Sequence, residues 1–223
     1  DGAPVGWWKL NEGTGATATD SGTGDNDGTI TNATWVNPTY TITDDTVTDT
    51  GATLSAPREV LHIDAADTLH FMNSGTFVNN SGTVILEHGT SQIIYNDGQA
   101  TPIVFYNLNP SGTSNSCRMA DDFTVENVLT IESNRFMLGC NSGGGQDDIT
   151  ATIGTTGAQG TVLIETGGEL EFYGDGPTTW EELRGASTVY PAVVSGAGLI
   201  DFGTGVQCRL ADVEFGSIGG LST

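Results

Sequence analysis

A repeated alternation of short apolar runs with Gly- and Asn-rich turns constrains the fold of this chain more than any other feature. In residues 75–89, the runs Thr76 to Val78 and Thr83 to Leu86 are separated by Asn79-Asn80-Ser81-Gly82. Asn and Gly tolerate left-handed backbone conformations, so the local pattern predicts a strand, a tight turn and a second strand. Similar passes recur at 160–164, 168–174 and 198–203. The repetition predicts an all-β protein.

The charge composition argues against several classes of partner. Six Lys and Arg residues stand against 28 Asp and Glu residues, which gives a formal net charge of −22. Nucleic acid is not an expected partner, because Lys and Arg are needed to replace the counterions of the phosphates. Insertion into membranes is not expected either, because no apolar run approaches the necessary length. One interpretation of the charge is a protein surface that is exposed to salt or divalent cations. The other is that the charge only keeps the protein soluble, since self-repulsion opposes edge-to-edge association of β-sheets.

The N-terminal segment carries the most specific motifs. It combines a Trp-rich start, an Asn-Glu-Gly turn, an Asp-Ser-Gly loop, an Asn-Asp-Gly-Thr turn and a closing Trp. Residues 5–35 therefore resemble the opening of laminin-G-like, concanavalin-type jelly-roll domains, and the matching residues are Trp7, Trp8, Leu10, Glu12, Gly13, Asp20, Ser21, Asn26, Asp27, Gly28 and Trp35. The resemblance ends there, because the Phe-Asp-Gly-like turn of those domains is missing. Their sugar- and calcium-binding loops come later and are not carried over to this chain.

A second resemblance covers residues 69–215. Phe105-Tyr-Asn-Leu108 and the run 123–131 resemble a recurring phrase of repetitive β-helix proteins from bacterial surfaces and phage virions. The resemblance implies an all-β fold with a β-solenoid, parallel β-helix-like, in which Asn79-Asn80 is a corner of a coil. We expect a laminin-G-like β segment and linker at 1–58 and a repetitive solenoid-like domain at 59–223. A β-sandwich or jelly roll is the alternative.

One helical turn is predicted at 177–184. Thr179 and Glu182 have the spacing of a capping box, and Gly185 can end the helix.

The sequence suggests two candidate binding sites and one candidate disulfide. Trp7, Trp8 and Trp35 could form a glycan platform or a protein interface; coverage by neighbouring strands is the alternative. Asp25, Asn26 and Asp27 resemble half of a calcium loop, which makes calcium the one candidate cofactor, although an Asp-Gly turn is the simpler interpretation. Cys117 could pair with Cys140 in a disulfide; the alternative is that the three cysteines are small buried thiols.

No catalytic residue is assigned. Glu169 and Glu171 share one strand face and would be the first carboxylates to inspect, together with Glu165 and Asp175. His62 and Asp64 could pair, but no nucleophile motif accompanies them, and a backbone-bonded His in a strand is the simpler interpretation. Phosphate-cradling and dinucleotide-binding motifs do not occur in the sequence.

The sequence therefore predicts a non-enzymatic structural protein of an extracellular filament, a cell surface or a phage virion. Its expected partners are further copies of itself or other surface or virion subunits, joined through β-strand edges. A carbohydrate-binding or adhesion module is the alternative, with glycans as partners. A tailspike-like polysaccharide depolymerase is the third hypothesis.

Overall fold

The protein divides into two compact units, Asp1–Pro38 and Thr39–Thr223. The computed structural model describes Gly6, Trp8 and residues 16–31, 39–42, 46–48, 51–65, 69–73, 75–88, 91–95, 101–111, 116–139, 148–173, 180–203 and 206–223. The division falls about twenty residues before the sequence-based boundary at 58, because strands at 39–42, 46–48 and 53–55 pair with later strands of the second unit. The described part contains no helix long and apolar enough to cross a membrane.

The first unit contains one short antiparallel pair. Strand β1 (Thr17–Ala18) pairs with β2 (Gly28–Thr29), and an isolated antiparallel bridge joins Trp8 to Asp20. The Asp-Ser-Gly loop lies between β1 and β2, and β2 begins at the Gly of the Asn-Asp-Gly turn.

The second unit is built from short strands separated by turns. They are β3 (Thr39–Ile42), β4 (Thr46–Thr48), β5 (Thr53–Ser55), β6 (Val60–Ala65), β7 (Leu69–Asn73), β8 (Thr76–Val78), β9 (Thr83–His88), β10 (Ser91–Tyr95), β11 (Ile103–Pro110), β12 (Ser116–Met119), β13 (Phe123–Ile131), β14 (Arg135–Leu138), β15 (Ile149–Thr155), β16 (Ala158–Gln159), β17 (Thr161–Ile164), β18 (Glu169–Phe172), β19 (Trp180–Gly185), β20 (Ala192–Gly196), β21 (Leu199–Asp201), β22 (Gln207–Ala211), β23 (Val213–Phe215) and β24 (Gly220–Ser222). The prediction of an all-β protein is confirmed.

These strands form parallel sheets whose members come from successive parts of the chain. One sheet has eight strands in the order β24-β21-β18-β14-β12-β10-β7-β4. A second has twelve, of which eight follow the order β22-β19-β15-β13-β11-β9-β6-β3. Strand β5 pairs with β8 in a separate parallel pair. The small β15–β16 pair is the one antiparallel ladder among the described strands of this unit.

The twelve-stranded sheet divides at β13, which is long enough to serve two neighbours. Its first half, around Phe123 and Val125, pairs with β15, and its second half, from Val128 to Ile131, pairs with β17. The ladder between β11 and β13 shifts register between Phe105 and Asn107. Asn107 lies at this register shift, where it donates to Thr83 Oγ1 at 3.1 Å and accepts from Asn127 at 2.8 Å. The Asn of the Phe-x-Asn-Leu phrase therefore joins neighbouring strands at a register shift.

The hydrophobic core consists of columns of apolar side chains that run across the sheets. Alternate residues of a strand point to one face, which gives β13 and β15 their alternating burial. Because the strands are parallel and in register, each buried side chain stacks on its equivalent in the next strand. The largest fully buried side chains are Phe105, Phe123, Phe136 and Phe172.

The local hairpin pattern of residues 75–89 does not form a hairpin. Strand β8 pairs with β5, and β9 pairs with β6 and β11. Between β8 and β9, Asn80 and Ser81 adopt positive φ angles of 50° and 61°. A left-handed turn is therefore present, but its second left-handed residue is Ser81 and not the Gly82 that the pattern favoured. Asn79 donates to Glu126 Oε2 at 3.1 Å, which fixes this turn against a later segment. The turn changes the direction of the chain between two sheets.

The predicted helical turn at 177–184 is wrong where the structure describes it. Trp180–Gly185 forms β19, in which residues alternate between half-buried and buried positions; residues 177–179 lie outside the described residues. Parallel pairing with β15 on one side and β22 on the other overrides the capping pattern.

Candidate functional site

The candidate functional site consists of the strand edges that end the parallel sheets. Among the described strands, β3 and β4 end the two large sheets on one side, which we call the first edge. Strands β22, β23 and β24 end them on the other side, which we call the last edge. Such edges present backbone N–H and C=O groups that can accept another strand.

One core column runs from the first edge to the last. Register pairing links Tyr40, Leu61, Val84, Leu108, Leu129, Val162, Val194 and Phe215 in a continuous series. The six inner members are at most 3% exposed, whereas Tyr40 is 54% and Phe215 is 45% exposed. With neighbouring strands about 4.8 Å apart, the seven steps span about 34 Å. The inner side chains of the column are therefore enclosed, whereas its two end members are about half-exposed.

Two further columns also end in exposed apolar side chains at the last edge. Leu210 stacks on Leu183, which is 1% exposed, and is itself 41% exposed. Leu221 stacks on Ile200, also 1% exposed, and is itself 61% exposed. Both side chains occupy core positions of their sheets. Their exposure arises because no described strand follows them.

The last edge has some of the usual protections of a sheet edge and lacks others: β23 and β24 are only three residues long, but no Pro interrupts the described edge strands. Natural edges are commonly blocked by Pro, by bulges or by inward-pointing charges. The last-edge strands contain no Pro, and their charged residues are Arg209 and Glu214. Arg209 does not point into the core, because its guanidinium carbon lies 4.2 Å from the ring centroid of Trp180 on the neighbouring strand. The apolar column ends remain accessible.

Of the predicted tryptophan site, the structure describes only Trp8. Its side chain is 45% exposed, and the indole Nε1 donates to the Asn26 carbonyl at 2.9 Å. Trp7 and Trp35 lie outside the described residues. A shared binding surface of the three tryptophans stays a prediction.

The predicted calcium residues lie in a hydrogen-bonded loop. The Asp20 carboxylate accepts from the backbone N–H groups of Gly22 at 2.7 Å and Asn26 at 2.9 Å. Asp27 Oδ1 accepts from the Asp20 N–H at 2.9 Å, and Asp25 has a positive φ of 49°. Among the described residues, no group of three His, Cys, Asp or Glu side chains is placed to hold a metal. Calcium binding at Asp25, Asn26 and Asp27 stays a prediction.

The cysteines described are thiols. Cys117 is free and fully buried, and burial raises its pKa. Cys208 is free and half-buried; its thiol donates to the Phe202 carbonyl at 2.9 Å, and burial, followed by the charges of Glu181 and Asp201, raises its pKa to about 11. Cys140 lies outside the described residues, so its pairing with Cys117 stays a prediction.

The carboxylates that the sequence marked for inspection are brought together only in part. Glu171 is 8% exposed, and Arg135 Nη1 lies 3.1 Å from its Oε2. Burial raises the pKa of Glu171, Arg135 opposes this, and the carboxylates of Glu169 and Asp201 raise the pKa further. Asp201 pairs with Glu171 in register. A buried carboxylate that is paired with Arg135 has little access to a polysaccharide, and Asp175 lies outside the described residues.

His62 has a different partner from the one considered in the sequence. Its Nδ1 lies 2.8 Å from Oε2 of Glu87 on the adjacent strand. This cross-strand contact needs no catalytic role.

Sequence reasoning did not identify Tyr40, Leu210, Phe215 and Leu221 as a group. Each looks like an ordinary core residue of a strand, and only its position on an outermost strand leaves it exposed. Comparisons of the chain with protein-family models, with curated proteins and with solved structures find no match. The geometry of the edges is therefore the main basis for a functional proposal.

Proposed function

We propose that the parallel sheets of the second unit are faces of a β-solenoid. The support is the order of pairing: consecutive chain segments add one strand at a time, in parallel, to each large sheet. Jelly rolls and sandwiches are built mainly from antiparallel strands, so this pairing favours the solenoid over the alternative. The register shift at Asn107 and the left-handed turn at Asn80 and Ser81 then serve as corners between faces.

The proposed function is that of a non-enzymatic structural protein that assembles through its strand edges, at an extracellular site or on a virion surface. The observation that carries it is the exposure of apolar side chains at the ends of otherwise buried columns: Tyr40, Leu210, Phe215 and Leu221. Eight large apolar side chains are exposed in the described part of the chain, and these four lie on edge strands. This concentration at the edges favours an assembly role over scattered surface hydrophobicity.

The energy available at the last edge fits a reversible association. Full burial of a Leu or Phe side chain contributes about 1.5–3 kcal/mol, so the half-exposed Leu210, Phe215 and Leu221 together retain about 3 kcal/mol. Association costs about 4–15 kcal/mol in lost rigid-body freedom. Backbone hydrogen bonds along the edge must therefore contribute as well, and assembly should depend on concentration.

Sedimentation velocity and negative-stain electron microscopy over a concentration series test this function. The 223-residue chain should form oligomers or filaments as its concentration rises. A chain that stays monomeric throughout, at low and high salt, would contradict the assembly role.

A carbohydrate-binding or adhesion module is the second candidate, and the geometry of Trp8 supports it. The indole ring is 45% exposed while its Nε1 is bonded to a backbone carbonyl, which holds the ring in place as a platform. A glycan array, run with and without calcium, should show binding that the Trp8→Ala variant loses and a Trp8→Phe variant partly keeps. Equal signals from the native chain and Trp8→Ala would dismiss this candidate.

A further inference from the structure

We propose that Arg118, on the outer face of the eight-stranded sheet, binds the carboxylate of a uronic acid residue in an acidic glycan. The strands that form this site are β12, β14, β18 and β21, and each of them has a paired strand on both sides. The site therefore lies inside the sheet and not at one of its edges. It goes beyond the proposed assembly function and does not rest on it.

Arg118 points away from the hydrophobic core. Its neighbours along β12, Cys117 and Met119, are both 0% exposed core residues, and successive residues of a strand face opposite sides. Arg118 itself is half-buried. Its register partners on the adjacent strands are Ile93 and Met137, neither of which can carry a charge. The guanidinium therefore has no opposite charge directly beside it in the ladder.

The Arg118 side chain is a cation without a counter-ion in a very acidic chain. Within the described part of the protein it makes no hydrogen bond and no ion pair, although the sequence contains 28 Asp and Glu residues. Its Nε atom is buried and has no acceptor. Arg135, on the next strand, is in contrast paired with Glu171 at 3.1 Å. A partly desolvated and unpaired cation gains strongly from an anionic partner, so Arg118 is suited to bind one.

The guanidinium of Arg118 is also held in place. Its Cζ lies 5.8 Å from the ring centroid of Tyr173, which follows β18, two strands away. Because neighbouring strands are about 4.8 Å apart, the two side chains lean toward each other across β14. Met137 on β14 is 1% exposed there, although Phe136 and Leu138 on either side of it occupy the inner face. A guanidinium that is already positioned loses little freedom on binding, which favours affinity.

The charges near Arg118 select the kind of anion. Glu169, Glu171 and Asp201 lie on the same outer face, because the residues between or before them, Leu170 and Ile200, are buried in the core. These carboxylates and the net charge of −22 repel a ligand with several adjacent negative charges, such as a phosphate or an acidic peptide. A ligand with one isolated carboxylate is repelled least.

A uronic acid residue flanked by neutral sugars has the matching chemistry. Its single carboxylate can accept two parallel hydrogen bonds from the Arg118 guanidinium. The hydroxyl groups of the neutral sugars can donate to the carboxylate oxygens of Glu169 and Asp201, which are acceptors only. Asp201 lies three strands, or about 14 Å, from Arg118. The ligand is therefore expected to be an oligosaccharide rather than a single sugar.

The test is an NMR titration of the isotope-labelled native chain with a hyaluronan tetrasaccharide, in which uronic acid and neutral sugars alternate. The Nε–Hε signal of Arg118, identified by its absence from the Arg118→Gln variant, should shift and saturate. Backbone signals of β12 and β14 follow the affinity in all variants. Arg118→Gln should weaken binding about tenfold or more, because a charge-assisted contact is lost. Arg118→Lys keeps the charge without the planar fork and should give an intermediate affinity.

Two matched controls accompany the titration. Arg184 is also a surface arginine, but it is paired with Glu182 at 3.5 Å and lies on β19 in the twelve-stranded sheet, so Arg184→Gln should bind like the native chain. Chitotetraose consists of neutral sugars without a carboxylate and should leave the Arg118 signal unshifted. Circular dichroism with urea unfolding verifies that each variant is folded, and Arg118→Lys carries the comparison if Arg118→Gln does not fold.

The other outcomes overturn the proposal. Equal affinities of the native chain and Arg118→Gln, or equal binding of chitotetraose and the hyaluronan fragment, would show that Arg118 does not bind the carboxylate. A Glu-rich peptide that shifts the Arg118 signal when the tetrasaccharide does not would assign the site to an acidic protein segment. No shift with either ligand would also refute the proposal. The titration is run on dilute protein in low salt, so it is read independently of the sedimentation test of assembly.

Discussion

Three Leu→Ala substitutions should reveal how burial varies from the middle of the stack to its last edge. Leu129 lies in the middle of the full-length column and is 0% exposed, whereas Leu210 and Leu221 end their columns at 41% and 61% exposure. The chemical change is the same at each position. Differences in the free energy of unfolding therefore report the surroundings of each side chain.

The magnitudes follow from the burial of each side chain. Leu→Ala removes about three carbon groups, or about 2.4 kcal/mol at full burial. Leu129 is enclosed, so a cavity penalty is added and we expect a loss of about 3–5 kcal/mol. Leu210 and Leu221 bury about three fifths and two fifths of their surface without an enclosing neighbour on one side. Their expected losses are about 1.4 and 0.9 kcal/mol, from the transfer contribution alone.

Urea unfolding followed by circular dichroism, in dilute protein and low salt, measures these losses on the unassembled chain. The m-value should stay constant across the series, so that midpoints compare directly. Val78→Ala serves as control, since its side chain points away from the core at 36% exposure. The reasoning fails if Leu221→Ala costs as much as Leu129→Ala under these conditions, because the column ends would then be buried in the single chain.

Three further predictions concern single positions. Gly82→Ala should lower the free energy of unfolding by more than about 2 kcal/mol, because an added Cβ would collide with the Pro57 carbonyl oxygen. Gly157→Ala is the control: a Cβ there meets nothing within 4 Å, so the urea midpoint should change little. The raised pKa of Glu171 means that the folded state binds more protons than the unfolded state. The contribution of Glu171 to the free energy of unfolding should therefore be greatest below about pH 4.5 and decline as the pH rises. The Glu171→Gln variant should show a smaller decline in urea titrations between pH 4 and 7. In a Cys140→Ser background, Cys208 should react with iodoacetamide at pH 8 about 100-fold more slowly in the folded than in the urea-unfolded chain, because its pKa is about 11 instead of 9.0. Mass spectrometry of the adducts measures the rates, and equal rates in both states would refute the burial of this thiol.

The position of Asn80 and Ser81 shows how far local sequence determined the turns of this protein. The left-handed conformation of Asn80 follows from the local chemistry of Asn, whereas the second left-handed residue is Ser81 and not Gly82, which the local pattern does not predict. The alternating burial of 123–131 likewise follows from the period of two in that segment. Both depend on interactions within one strand or turn, which is why the sequence alone predicts an all-β protein.

Only the tertiary structure decided which strands pair. Strands β8 and β9 are adjacent in sequence yet pair with other strands, and Trp180–Gly185 becomes a strand against its own capping pattern. Pairing depends on register between segments about twenty to thirty residues apart, which a local pattern does not encode. The same holds for the candidate site. Leu183 and Leu210 stack on each other in register, but one is buried and the other exposed because a strand covers only the first.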